Sequence, residues 1–159
     1  MKYQNNPLNI RYNSINKWKK QINPKSGFCQ FSSIYFGIRA GLVLLRKYRY
    51  SYGLDTPKKI ISRWAPPSEN LTLKYIEFVC SEVNSFLPFT DFLSSDRQIE
   101  FDFFDFTDES LLYRFVQAMC KIETNFQLDL ETFQTALILV DPNIRPFSDT
   151  LYQKLLSNL

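Results

Sequence analysis

The sequence predicts a mainly α (α+β) protein with a small β-hairpin near its N-terminus. Apolar residues recur at helical spacing along most of the chain, and capping residues and prolines mark the ends of these segments. Short β-prone pieces lie at residues 8–12 and 27–31, before the first helical segment. The 159 residues are enough to bury one core, and no long linker or repeat divides them. We therefore expect a single domain over residues 1–159.

The first 31 residues favour extended structure. They are rich in Asn and Lys, and Pro7, Pro24 and Gly27 interrupt them. We expect residues 8–12 and 27–31 to form a small hairpin or an extended lead-in rather than a helix.

Ser32 or Ser33 is expected to cap a long first helix that runs to about Tyr50. Gly37 and Gly41 lie on its apolar face, where a bare backbone allows another element to approach closely. The other residues of that face are Ile34, Ile38, Leu42 and Leu45.

Two shorter helices are expected to follow. Thr56 and Pro57 begin the second helix, and the prolines after Trp64 end it. A third helix runs to about Val83 and has three candidate capping residues, which are Ser68, Asn70 and Thr72.

The second half of the chain predicts three more helices. Residues 84–106 are loop-like, and the Phe- and Asp-rich stretch at 101–106 suits either a strand or a packed turn. A fourth helix is expected from 107 to 122, with Asp108 and Glu109 at its positive end. A fifth is expected at about 130–140, capped by Asp129, and a last one at 148–156.

The net charge of +3 hides an asymmetry along the chain. Residues 1–80 carry 14 Lys and Arg against three acidic residues, whereas residues 81–159 carry five basic and 13 acidic residues. We therefore distinguish a basic, motif-bearing half (1–83) from an acidic helical half (84–159). A basic surface for a polyanion is one interpretation, and attraction between the two halves is the other. Nucleic acid is not the expected partner, because no basic run reaches five residues and no nucleic-acid-binding signature occurs.

The cysteines indicate a reducing compartment. Cys29, Cys80 and Cys120 are odd in number, far apart and flanked by apolar residues, which is typical of buried free thiols. Because the chain has no His, the usual zinc sites and His-dependent catalytic triads are excluded. We therefore expect no metal and no cofactor.

The sequence also predicts no membrane span. Residues 1–11 are polar and lack the apolar core of a signal peptide. The apolar stretch at 38–45 is interrupted by Arg39 and is far too short to cross a bilayer. The expected location is the cytoplasm on synthesis.

Residues 5–11, 28–40 and 64–72 each contain a string that resembles a family of phage and prophage proteins, often described as virion structural proteins. Residues 5–11 read Asn-Asn-Pro-Leu-Asn-Ile-Arg, similar to the family's Asn-Asn-Pro-Gly-Asn-Ile-Arg. Residues 28–31 read Phe-Cys-Gln-Phe and lead to Gly-Ile-Arg-Ala at 37–40. Residues 64–72 read Trp-Ala-Pro-Pro-Ser-Glu-Asn-Leu-Thr, which is the most specific string. This resemblance covers about residues 5–80 and implies that other virion proteins are partners.

A fourth string extends the resemblance to enzymes. Residues 118–126 read Ala-Met-Cys-Lys-Ile-Glu-Thr-Asn-Phe, similar to the family's helix ending in Glu-Asn-Gly and, more distantly, to the Glu-Ser-Gly-Phe end of the catalytic helix in lytic transglycosylases. Gly-Phe-Cys-Gln-Phe at 27–31 resembles the Gly-Leu-Met-Gln-Ile of those enzymes, but the order of the strings is rotated. The resemblance therefore implies a circularly permuted, lysozyme-like helical domain that acts on bacterial cell-wall glycan.

Two departures from the family pattern leave an inactive member open. Leu8 replaces a glycine, so a left-handed backbone is not expected there. Thr124 and Asn125 replace the Asn-Gly that follows the family's glutamate.

The resemblance makes Glu123 the candidate general acid. A glutamate at a helix end that faces an apolar cleft keeps its proton near neutral pH, because desolvation raises its pKa. Glu69 lies in the most specific string and is the candidate second carboxylate. For both residues, a solvated charge at a helix end is the competing interpretation.

Four residues from the same strings are candidates for binding sugar through hydrogen bonds or ring stacking, and they are Gln30, Trp64, Asn70 and Tyr75. Trp64 and Tyr75 suit a role in the core or at a helix end equally well.

Three functions remain open at this point. The first is a peptidoglycan-directed glycoside-cleaving enzyme, and the second is a non-catalytic virion structural or adaptor protein that retains the fold. The third is a binder of nucleic acid or wall polymer through the basic half, whose affinity would fall steeply with salt.

Overall fold

The computed structural model describes residues 4–159. Met1–Tyr3, which belong to the segment where no signal peptide is expected, lie outside the described residues. The described chain is mainly α-helical with one small antiparallel hairpin, as the sequence predicts. Its strands and helices are β1 (Gln21–Lys25), β2 (Phe28–Phe31), α1 (Ile34–Tyr50), α2 (Pro57–Trp64), α3 (Thr72–Asn84), α4 (Leu111–Thr124), α5 (Leu130–Ile138) and α6 (Asp149–Leu156).

The hairpin has a different first strand from the expected one. β1 pairs with β2 in the register Gln21 to Phe31, and the chain turns through Ser26 and Gly27, both with positive φ. Residues 10–12 lie beside β2 instead of forming the hairpin: the Cys29 amide donates to the Ile10 carbonyl at 2.9 Å. The β-prone pattern at 8–12 therefore marks a segment that hydrogen bonds to β2 without becoming a regular strand. Of the two expected alternatives, the extended lead-in describes residues 8–12, and the hairpin partner of β2 is β1 instead.

The N-terminal segment lies across α1 at the two expected glycines. A Cβ atom on Gly37 would come within 1.8 Å of the Asn5 carbonyl oxygen, and one on Gly41 within 2.1 Å of Leu8 Cδ1. The Leu8 side chain, fully buried, packs onto the space that Gly41 leaves open. Residues 5–8 are thus fixed against the longest helix.

Two groups of helices share the core. α1 packs against α5 and β2, and α6 packs against α5, while α3 packs against α4 and α2. Phenylalanine rings fill the space between these elements. Phe101 and Phe115 meet edge to face with ring centroids 5.1 Å apart, and the rings of Tyr113 and Phe133 do so at 5.2 Å.

Two helix starts differ from the sequence prediction. α3 has Leu71 at its N-cap, whose apolar side chain cannot cap, so none of the three expected capping residues caps this helix. The Thr72 hydroxyl donates to the Ala65 carbonyl at 2.7 Å. α4 begins at Leu111, where Ser110 Oγ accepts from the Tyr113 amide. Asp108 and Glu109 precede this helix rather than forming its first turn. By contrast, Thr56 and Asp129 cap α2 and α5 as predicted, and Ser148, expected as the first residue of the last helix, is the N-cap of α6.

The long connection between α3 and α4 is a packed loop. It contains a short 3₁₀ turn at Phe89–Asp91 and no strand among the described residues of 84–106. Phe101, Phe103 and Phe106 are buried, and Phe104 is half exposed. The Phe-rich stretch at 101–106 therefore forms the packed turn, one of the two expected alternatives.

Among residues 4–159, no helix combines the length and the apolar composition needed to cross a bilayer. Cys29, Cys80 and Cys120 are buried and free, as predicted. Burial raises the pKa of the Cys29 thiol to about 11, and it raises the pKa of the other two thiols as well. These thiols therefore remain protonated at neutral pH and are poor nucleophiles.

Candidate functional site

Glu123 lies in the last turn of α4, and the way this helix ends fixes its position. Asn125 follows with a left-handed backbone, φ 57°, and its amide donates to the carbonyl of Lys121. Asn is one of the few non-glycine residues that tolerates this conformation, so it can form the left-handed turn that ends the helix. The Thr124 hydroxyl donates to the Pro7 carbonyl at 2.8 Å, which ties the helix end to the N-terminal segment.

Three side chains from distant parts of the chain hold the Glu123 carboxylate. Asn9 Nδ2 donates to Glu123 Oε2 at 3.1 Å and to the Glu123 carbonyl at 3.0 Å. The Tyr75 hydroxyl donates to Oε1 at 3.0 Å, and the Trp64 side chain also hydrogen bonds to the carboxylate. The acid at the end of α4 is therefore oriented by the N-terminal segment, α2 and α3 together.

Burial raises the pKa of Glu123 above its ordinary value. The hydrogen bonds from Asn9, Tyr75 and Trp64, and the charge of Arg11, act in the opposite direction because they stabilise the carboxylate. Desolvation is the largest of these effects and decides the sign. The pKa of the Tyr75 hydroxyl is also raised, by its own burial and by the neighbouring carboxylate.

Glu123 borders an open groove of about 560 Å³. We call it the Glu123 groove, and define it by its lining residues. These are Asn9, Ile10, Arg11, Asn13, Asn16, Trp18, Phe28, Leu44, Lys47, Tyr48, Tyr52, Arg63, Trp64, Ala65, Pro66, Glu69, Asn70 and Glu123. Amides and charged groups alternate with aromatic rings along it, a combination that suits a polar ligand with flat apolar faces, such as a sugar.

The rim of the groove carries the second predicted carboxylate. Glu69 is exposed and forms an ion pair with Arg11 at 3.2 Å. The Arg11 guanidinium also lies 5.4 Å from the Phe28 ring and acts on Glu123 by its charge. One arginine thus lies between the two acids. Asn70 lines the same rim and donates to the Pro66 carbonyl at 3.2 Å, which shapes the proline-rich turn.

Aromatic rings form one wall of the groove. Tyr48 meets Trp64 edge to face with ring centroids 6.1 Å apart, and it meets Tyr52 at 6.2 Å. The Arg63 guanidinium lies 4.6 Å from the Tyr52 centroid and 5.8 Å from that of Tyr48. Lys47 Nζ lies 5.5 Å from the Tyr52 ring. These distances allow cation–π attraction between the rings and the cations, which stabilises this wall of the groove.

The structure brings four of the six predicted site residues to this groove. Glu123, Glu69, Trp64 and Asn70 line it. Tyr75 is buried beneath it and touches Glu123, so its position suits orienting the acid rather than contacting a ligand.

The sixth predicted residue does not reach the groove. Gln30 Nε2 donates to the Asn23 carbonyl across the hairpin at 2.7 Å. The reason is that β2 pairs with β1, which gives the Gln30 amide a partner within the hairpin. Its proposed contact with substrate has no support in this geometry.

Comparison with known proteins adds one finding. The chain is similar to a phage protein. It is 42% identical over 82 residues to "Protein P5" of Pseudoalteromonas phage PM2. The matched region covers 49% of this chain and 51% of Protein P5, so it spans about half the length of that relative. No model of a known protein family matches the chain.

Asn9 and Arg11 are site residues that sequence reasoning did not assign. Both lie in the string at residues 5–11 that resembles phage proteins, and this string was the available signal. Asn9 contacts Glu123 although the two residues are 114 positions apart. No local sequence pattern indicates such a contact.

Lys47 also lines a second, larger cavity of about 1010 Å³. None of the predicted site residues lines it. Its charged residues come in both signs, with Arg39, Arg46 and Lys47 against Glu100, Asp102 and Asp141. Arg46 is paired with Asp141 at 3.1 Å, and Arg39 Nε donates to the Leu139 carbonyl at 2.8 Å. These contacts join α1 to the end of α5, so the arginines here have structural roles.

Proposed function

We propose that this chain is a virion-associated phage protein whose partners include other virion proteins. The observation that carries this proposal is the 42% identity to Protein P5 of a phage. The resemblance of residues 5–11 and 64–72 to phage and prophage proteins supports the same assignment.

Purified particles test this assignment. Phage particles from a producing host are separated on a density gradient, washed in high salt, and probed with an antibody to this chain. The protein is expected in the particle fraction at a constant ratio to the other particle proteins. Recovery only in the soluble fraction would contradict virion association.

The Glu123 groove favours a second function, cleavage of bacterial cell-wall glycan. The observation that favours it is the position of Glu123, a carboxyl group in a groove whose burial raises its pKa. Such an acid keeps a larger protonated fraction near neutral pH than an exposed glutamate does. It can therefore donate a proton to the oxygen of a glycosidic bond as the bond from carbon 1 to that oxygen breaks.

The neighbours of Glu123 suit both protonation states. The Tyr75 hydroxyl donates to the carboxylate and, once Glu123 is protonated, can accept from it instead. After this bond has broken, a hydroxyl group attacks carbon 1. The Glu123 carboxylate accepts the proton of that hydroxyl group, and this proton transfer restores the acid. A single acid serves both steps in this scheme. Glu69 is the candidate second carboxylate, and it pairs with Arg11 at the rim at 3.2 Å.

Zymography on purified peptidoglycan separates the two functions. Wild type is compared with Glu123→Gln and with Glu77→Gln, which changes an exposed glutamate outside the groove. If the groove cleaves glycan, Glu123→Gln loses about 10²–10⁴-fold in rate and Glu77→Gln clears like wild type. No clearing by wild type, or equal clearing by Glu123→Gln, would exclude Glu123 catalysis and leave the virion assignment standing.

A further inference from the structure

We infer that the Glu123 groove contains a subsite for a carboxylate group of its glycan ligand, formed by Lys47 and Arg63 beside Tyr52. This inference rests on the proposed binding of cell-wall glycan in the groove. It adds a chemical requirement, because the ligand must be acidic at a defined place.

The subsite is connected to Glu123 by a series of aromatic contacts. Trp64 hydrogen bonds to Glu123, and the Trp64 ring meets Tyr48 at 6.1 Å. Arg63 lies over Tyr48 and Tyr52. The two cations are therefore separated from the acid by aromatic rings on which sugar units can stack, and they line the same groove.

Both cations lack an acidic partner in the part of the chain that the structure describes. The ion pairs found within residues 4–159 include neither Lys47 nor Arg63, whereas Arg11, the third cation of the groove, is paired with Glu69. Both are exposed to the groove. Their positive charge is thus available to a ligand.

Arg63 is also held in place before any ligand binds. Its guanidinium lies 4.6 Å from the Tyr52 ring centroid and 5.8 Å from that of Tyr48, so both rings attract it. A guanidinium fixed on a ring loses little freedom when it binds, and its planar array of donors fits a carboxylate. Lys47, 5.5 Å from the same ring, adds a second charge. Two cations next to one ring make this part of the groove select for negative charge.

A carboxylate on a wall glycan has two possible sources, the lactyl group of a peptide-free strand or an attached peptide. Binding is therefore measured with three probes of equal sugar length, which contain alternating N-acetylglucosamine and N-acetylmuramic acid. One has free lactyl carboxylates, one has these converted to neutral methyl amides, and one carries peptide stems. All measurements use protein with Glu123→Gln, so that no probe is cleaved, and titration calorimetry gives the affinities.

The expected result is a preference of about 3- to 10-fold for a carboxylate-bearing probe over the neutral one, since each exposed charge pair contributes modestly. Adding Lys47→Gln and Arg63→Gln removes this preference. The matched control, Lys58→Gln with Lys74→Gln, removes two exposed positive charges outside the groove and keeps it. The preference also decreases as salt is raised. Whichever acidic probe shows the preference identifies the source of the carboxylate.

The possible failures are distinguishable. Equal binding of acidic and neutral probes, or an equal loss in the control, overturns the subsite and leaves glycan binding in the groove intact. Absence of binding to all three probes overturns the glycan function together with the subsite. If the double variant is less stable to heat than the control, Lys47→Gln alone gives the test. The expected preference is then about 2- to 3-fold, because half of the charge contribution remains. An unchanged preference overturns the role of Lys47.

Discussion

Three asparagines of the N-terminal segment hydrogen bond to different parts of the protein. Asn5 Nδ2 donates to the Phe31 carbonyl at 2.9 Å, and Asn6 Nδ2 donates to the carbonyls of Ile10 and Cys29 at 3.0 and 2.9 Å. Asn9 binds the Glu123 carboxylate, and its backbone is left-handed with φ 51°. The string at 5–11 is therefore a folded loop in which Asn5 and Asn6 fix the position from which Asn9 reaches the acid.

Asn6 should contribute strongly to stability. It is fully buried, and its Oδ1 also accepts from the Ile10 amide at 2.9 Å. Asn6→Ala removes the side-chain hydrogen bonds to the Ile10 amide and to the Cys29 carbonyl, and one of the two donors to the Ile10 carbonyl, so we expect a loss of about 3 kcal/mol in the free energy of unfolding. Asn13→Ala changes an exposed asparagine and is expected to cost less than about 1 kcal/mol. Denaturant unfolding measures both, and similar losses would contradict the structural role of Asn6.

Glu123 should also make stability depend on pH in a definite direction. Its pKa in the folded protein is raised above the ordinary value of 4.5, so folding favours the protonated form. The contribution of this group is fully present below pH 4.5 and is lost as pH rises through the raised pKa. We therefore expect the free energy of unfolding of wild type, minus that of Glu123→Gln, to fall across this window. Denaturant unfolding at a series of pH values measures the difference, and a flat or rising difference contradicts the burial effect.

At the residue scale, sequence reasoning selected Glu123 and two of the side chains that surround it, but not Asn9 or Arg11. Glu123 and its contact with Tyr75 and Trp64 join strings that the resemblance had already selected. Asn9 was missed because its role depends on a long-range contact, and Gln30 was included because a short string looked similar. Residue identity can suggest a chemical role, but only the fold decides which side chains meet.

The N-terminal segment and α1 show why a small residue is needed at particular helix positions. At Gly37 an added Cβ meets a backbone oxygen of Asn5, which cannot rotate away. At Gly41 it meets the end of the flexible Leu8 side chain. A Cβ atom is therefore accommodated less easily at Gly37 than at Gly41.

This difference gives a paired prediction. Gly37→Ala should destabilise the protein by about 2–3 kcal/mol, because the N-terminal segment must move away from α1. Gly41→Ala should cost about 1 kcal/mol or less, since Leu8 can adjust and alanine favours the helix. Thermal and denaturant unfolding show which of the two substitutions destabilises the protein more. A smaller loss for Gly37→Ala than for Gly41→Ala would contradict the close approach of Asn5.

At the element scale, helices were predictable where apolar periodicity coincided with a capping residue. Thr56 and Pro57 begin α2, and Asp129 caps α5, as expected. The start of α4 was wrong, because several polar residues precede it and only the fold shows that Ser110 caps it. Residues 8–12 were expected to form a hairpin with residues 27–31 or an extended lead-in. A local pattern does not specify which segment a strand pairs with, so β1 was not predicted as the partner of β2.

At the scale of the whole molecule, the basic and acidic halves of the chain are joined by contacts of several kinds. Arg46 pairs with Asp141, and Arg49 lies 4.0 Å from Glu100. These ion pairs are at least partly exposed and contribute little by themselves. The buried contacts between the halves have more effect on stability, since they include the packing of α1 on α5 and of α3 on α4.

These contacts lead us to expect that both halves unfold together. Trp18 and Trp64 both lie in the basic half, so their fluorescence reports on it, whereas far-ultraviolet circular dichroism reports on helices of both halves. The two signals should show the same midpoint in urea. Separate midpoints would contradict the expected single domain over residues 1–159.

The central claim is that Glu123, in the middle of the acidic half, is a desolvated acid in a groove built largely by the basic half. Carbon-13 NMR of the glutamate side-chain carboxyl groups, with Glu123→Gln to assign the resonance, measures its pKa directly. We predict a midpoint above 4.5, because burial outweighs the hydrogen bonds from Asn9, Tyr75 and Trp64. A midpoint at or below 4.5 would show that Glu123 is an ordinary solvated carboxylate, and would contradict the claim.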